Sequence, residues 1–107
     1  MALNKAKAIS VLSTEYVQVR VSTTLNGLPY DVTDGTVEFA FVSNGESPTV
    51  GDWTTAEWET AGPDYYGRIL VGPEGAVTLA AGSYESWIRV TIDPQTLVEP
   101  TGSVLIY

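Results

Sequence analysis

The stretch that decides the fold is SYESWIRVTI, Ser83 to Ile92. Tyr84, Ser86, Ile88, Val90 and Ile92 fall on one side of an extended chain, and Glu85, Trp87, Arg89 and Thr91 on the other, because successive Cβ atoms of a strand point to opposite faces. β-branched Ile and Val suit the pleated backbone, and a helix of this length would scatter them around its circumference. Ser83 to Ile92 therefore reads as a strand with one face buried.

The same period of two recurs outward from it. Val17, Val19 and Val21 oppose Gln18, Arg20 and Ser22, and Val37, Phe39 and Phe41 share one face of Thr36 to Val42. Burying the latter three contributes about 1.5 to 3 kcal/mol per side chain. Trp53 to Thr60, read as one regular strand, sends Trp53 and Trp58 to opposite faces, so at most one of them is fully buried. Tyr65 to Val71 and Ser103 to Tyr107 complete the strands.

Between these runs lie turn signals: Asn26-Gly27, Thr33-Asp34-Gly35, Ala61-Gly62-Pro63-Asp64 and Gly72-Pro73-Glu74-Gly75. Pro29 cannot donate to a ladder and marks an edge or a loop. Ser43 to Asp52 is a polar surface loop, Ala76 to Ala81 an apolar bridge with room for one helical turn, and Asp93 to Gly102 a loop through two prolines. Turns spaced eight to twelve residues apart between about seven short strands predict an all-β, Ig-like antiparallel β-sandwich. Residues 15–107 form its single domain, and 1–14 an N-terminal arm or first short strand. Ala80-x-Gly82-x-Tyr84 fits a tyrosine corner, in which the hydroxyl bonds to upstream backbone; the alternative is an ordinary strand tyrosine.

Composition narrows the chemistry. The 107 residues include no His and no Cys, which removes imidazole bases, thiolates and conventional zinc sites. Five Lys and Arg against 13 Asp and Glu give a net charge of −8, unsuited to a phosphate backbone. No segment approaches the ~20 apolar residues of a membrane helix, and no apolar run follows the two N-terminal lysines as in a secretory signal. A soluble, noncatalytic binding or structural module is expected, with no cofactor or metal, no nucleic acid and no membrane partner.

Charge is unevenly distributed. No Lys or Arg occurs from Val21 to Gly67, where eight carboxylates lie, while Lys5 and Lys7 are both near the N-terminus. They either steer the module onto an acidic surface or belong to a frayed terminus. Glu57 and Glu59 share a strand face ~7 Å apart, a spacing within reach of a glycosidase pair, but solvated surface is the simpler reading. Asp31 and Asp34 lack the ligand number of a calcium loop. Trp53, Trp58, Tyr65 and Tyr66 sit on two adjacent predicted strands. They either pair across the sheet or stack on sugar rings as a carbohydrate-binding module would.

Several of these features together carry a family resemblance. VEFAFV at Val37 to Val42, Gly51-Asp52-Trp53, Ala56-Glu57-Trp58, Tyr66, Gly72-Pro73, Gly75 and GSYESWIRV at Gly82 to Val90 resemble small Ig-like virion proteins of tailed actinobacterial phages. The opening strand with its Asn26-Gly27 turn and the closing Pro100 to Val104 extend the likeness along most of the chain. It is also similar to the Ig-like N-terminal domain of phage baseplate upper proteins. The resemblance implies a noncatalytic viral structural protein located in the virion, foremost a capsid decoration or minor head protein, with a tail, baseplate or head-to-tail connector module as the alternative. Its partners would be other virion proteins, capsid protein first, with a homo-oligomer also open. Candidate interface residues are Lys5, Lys7, Trp53, Trp58 and the uncharged strand end Val104, Leu105, Ile106 and Tyr107, expected to pair with a neighbour by β-augmentation.

Overall fold

Strands with one apolar face must bury it against another such face, and here two sheets do so. The structure, a computed structural model, describes residues 7–21, 32–92 and 95–107 and the paired backbone of 24–25 and 28–29. In chain order the strands are β1 (Lys7–Ile9), β2 (Glu15–Val21), β3 (Thr24–Leu25), β4 (Leu28–Pro29), β5 (Thr36–Ser43), β6 (Thr54–Thr55), β7 (Glu57–Ala61), β8 (Asp64–Val71), β9 (Gly82–Ile92) and β10 (Gln95–Ile106). A five-stranded sheet, β1-β10-β9-β5-β6, faces a three-stranded sheet, β2-β8-β7, and β3 pairs with β4 apart from both. The chain is an all-β, Ig-like sandwich. Lys5, Asp31 and the Asn26-Gly27 turn lie outside the described residues.

The core follows the period-two reading. Val17, Val19 and Val21 of β2, Ile69 and Val71 of β8, Val37 and Phe39 of β5, and Ile88 and Val90 of β9 are all buried between the sheets. At Gly67 of β8 a Cβ would stand 2.8 Å from Val37 Cγ2 and 3.1 Å from Ile88 Cδ1, so the sheets approach there too closely for a side chain. The tyrosine corner is present: Tyr84 Oη donates to the Ala80 carbonyl at 2.8 Å.

Four local expectations are corrected. Trp53 to Thr60 is not one strand: β6 pairs with β5 in one sheet, the chain breaks at Ala56, and β7 pairs with β8 in the other. Ala56 N–H donates to the Val37 carbonyl at 2.8 Å, which pins the crossing. Ala76 to Ala81 holds no helical turn; Val77 instead bridges Val71 in parallel. Gln95 to Gly102, expected as loop, is strand, paired throughout with β9 and bulged between Pro100 and Gly102. The bulge turns Thr101 into the core, where its hydroxyl meets that of Ser86 at 2.6 Å. Finally, the sandwich is not wholly antiparallel, because β1 runs parallel to β10 along Val104–Ile106.

Candidate functional site

The C-terminal strand end is not a free edge. β1 covers it, pairing Lys7 with Val104, Ala8 with Leu105 and Ile9 with Ile106. Val104 and Ile106 are buried among the core residues, which removes them from any surface; Leu105 and Tyr107 are 44% and 63% exposed. Lys7 is held too, since its Nζ donates to the Tyr16 carbonyl at 2.7 Å and lies 3.7 Å from Glu15. It ties the edge of one sheet to the edge of the other rather than leading a loose arm.

The four aromatics expected on adjacent strands are divided by the sheet crossing. Trp58 packs against the core and donates Nε1–H to the Gly35 carbonyl at 3.0 Å, and Tyr65 joins it on the inner face. Tyr66 alternates to the outer face of the three-stranded sheet. Trp53 lies outside the five-stranded sheet, its ring 4.6 Å from the Arg89 guanidinium, which is in turn clasped by Glu38 at 2.9 and 2.8 Å. The Glu38 hydrogen bond, working against desolvation, holds the Arg89 pKa above its ordinary value. With the turn at Val50–Asp52 lying against β5, outward-pointing Ala40 and Val42 are buried as well. Trp87 stands beside Ala40, and its Nε1 is the buried side-chain polar atom without a hydrogen-bond partner among the described residues. No single aromatic platform results.

The richest polar arrangement is on the outer face of the three-stranded sheet. Arg68 of β8 bonds Glu57 at 2.9 Å, pairs with Glu59 and sits 4.3 Å over the Tyr16 ring. Desolvation opposes its charge, but Glu59, Tyr16 and Glu57 outweigh that and raise its pKa. Beside it is a shallow recess of about 310 Å³ bordered by Tyr16, Thr55, Glu57, Arg68 and Leu70. Both carboxylates of the Glu57 and Glu59 pair are thus engaged by one guanidinium, an arrangement that braces β7 against β8. Asp34 is exposed, and among the described residues no group of three or more His, Cys, Asp or Glu could hold a metal.

A different surface gathers apolar side chains at one end of the sandwich. The turn after β1 exposes Val11 by 39% and Leu12 by 87%. Val11 N–H donates to the Tyr107 carbonyl at 2.6 Å, and Tyr107 N–H to the Ile9 carbonyl at 3.0 Å, so this turn and the chain's last strand lie together. On its other side the turn touches the Gly72-to-Gly75 turn, where Thr14 Oγ1 donates to the Pro73 carbonyl at 2.7 Å. Exposed Glu74 stands in that turn at φ 65° and has no ion-pair partner among the described residues. Val11, Leu12, Leu105 and Tyr107 are thus exposed apolar residues on adjoining backbone segments, an apolar end with exposed Glu74 in the neighbouring turn. Leu105 and Tyr107 are among the candidate interface residues read from sequence, and Val11 and Leu12 are not; the sequence sign of the latter is an apolar pair placed directly before Ser13-Thr14.

No family model and no curated protein matches the chain. Among solved structures, a protein from Bacteroides vulgatus proposed to be a glycoside hydrolase aligns with 97% of this chain and 16% of its own, at 15% identity and a TM-score of 0.41. Similarity at that level carries no argument about activity.

Proposed function

We propose that the chain is a noncatalytic structural module of a phage virion, a capsid-associated decoration or minor head protein, seated through its apolar end. The observation that carries the seat is the gathering of Val11, Leu12, Leu105 and Tyr107 on adjoining backbone segments. A few centrally packed residues, tyrosine prominent among them, carry most of an interface's binding energy, which makes Tyr107 the natural anchor of this end. The sequence resemblance to Ig-like virion proteins supplies the kind of neighbour. Glu74 adds a chemical requirement, since a complementary surface would offer Lys or Arg opposite it.

Co-sedimentation with particles of the phage that encodes the chain tests this reading. Leu12→Ser combined with Tyr107→Ser should reduce the particle-bound fraction at least tenfold, and Glu74→Lys should slow association. Ala61→Ser, in the hairpin at the opposite end of the three-stranded sheet, should leave binding unchanged. Gradient fractions of separated heads and tails distinguish a head seat from a tail, baseplate or connector seat. Saturable quenching of Trp fluorescence by glycans, with no particle binding, would replace the reading with a carbohydrate-binding one.

A further inference from the structure

We propose that Gln95–Glu99 of β10 is a self-complementary pairing edge that joins two copies of this chain antiparallel about Leu97. β10 is 12 residues long, yet β1 covers only Val104–Ile106 on the side away from β9. Among the described residues, Gln95 to Pro100 has no ladder partner on that side. Pro100 is paired with Trp87 of β9 in unbroken register from Gln95. A proline inside a ladder is tolerated where its nitrogen faces the open edge. By strand alternation Thr96 and Val98 then turn their N–H and C=O groups to that same edge.

The sequence of this run suits a second copy. A twofold at Leu97 sets Thr96 against Val98 of the second copy and the reverse, giving four inter-chain backbone hydrogen bonds. Leu97 meets its own counterpart as the close, non-hydrogen-bonded pair, and Gln95 faces Glu99 of the second copy. No like charges oppose each other, which is the condition for favourable cross-strand pairing. The other edges fit less well. On β2 the Tyr16 carbonyl is taken by Lys7. On β7 an equivalent twofold at its central residue would set Glu59 against Glu59. Pro100 and the bulge after it limit the new ladder to five residues, so the contact is weak in dilute solution and gains from many copies held side by side.

The inference goes beyond the seat on the particle, and its test uses the purified full chain without particles, so either can fail alone. Sedimentation velocity from about 10 μM to about 1 mM should show a reversible monomer–dimer equilibrium. It should tighten from low to high salt, because the net charge of −8 on each copy is then screened. Val98→Pro removes the edge donor and should weaken dimerisation at least tenfold, while Val98→Thr retains it. Gln95→Glu should weaken it about fivefold and Gln95→Lys should strengthen it about fivefold, both being exposed changes that leave the fold intact. A chain that stays monomeric throughout overturns the inference. So does a dimer indifferent to the Gln95 pair of variants, or one that weakens as salt rises.

Discussion

The Tyr84 hydroxyl reaches the Ala80 carbonyl four residues upstream, so a single oxygen fixes how the chain enters β9. Tyr84→Phe should cost about 1 kcal/mol, the typical worth of one hydrogen bond, measured by chemical denaturation with an unchanged m-value. This contact was legible in the spacing of Ala80, Gly82 and Tyr84, because a tyrosine corner is local. The Ser86 and Thr101 hydroxyls, 2.6 Å apart in the core, were not legible, because their meeting depends on a bulge that carries no distinct sequence sign. Thr101→Val should cost about 1 to 3 kcal/mol by stripping a partner from a buried hydroxyl, and adding Ser86→Ala should recover part of that loss. A double-mutant cycle by denaturation measures the coupling. Among the described glycines Gly72 is the tightest: at φ 134° a Cβ added there would stand 2.2 Å from the Ser13 carbonyl oxygen. Gly72→Ala should lower stability by roughly 2 to 4 kcal/mol, and a melting temperature unchanged by it would contradict the turn contact.

Strand identity was readable where one face of a strand is buried for its whole length, as in β2, β8 and β9. It failed where the chain changes role within a run. Trp53 to Thr60 alternates without a break, yet Ala56 takes the chain from one sheet to the other, a tertiary event that periodicity does not encode. Across Asp93 to Gly102 the two prolines Pro94 and Pro100 suggest loop, but Pro100 is accommodated at the open edge of β10. The N-terminal segment was ambiguous because three residues are too few to show a period, and β1 is held by its pairing with β10 and by Ile9 in the core. Ile9→Ala should therefore cost about 2 to 5 kcal/mol, as for other buried aliphatics. Thermal melting checks it; a loss under ~0.5 kcal/mol would return β1 to the status of a loose arm.

At the scale of the molecule, the −8 resolves into pairs and remainder. Each described cation is engaged: Lys7 by Glu15, Arg20 by Asp64, Arg68 by Glu57 and Glu59, Arg89 by Glu38. Asp34, Glu46, Asp52, Glu74, Glu85 and Glu99 have no such partner among the described residues, so the exterior is a negative shell interrupted by an apolar end. The sign of the charge and the sandwich were readable from composition and period; the apolar end was not, because it is assembled from a turn and a strand almost a full chain length apart. The proposed seat is checked most sharply by co-sedimenting the wild-type chain and the Leu12→Ser, Tyr107→Ser double variant with particles of the phage proposed to encode it. Wild type should travel with the particles and the folded double variant should be left behind; equal recovery of both, or recovery of neither, would overturn the proposed seat.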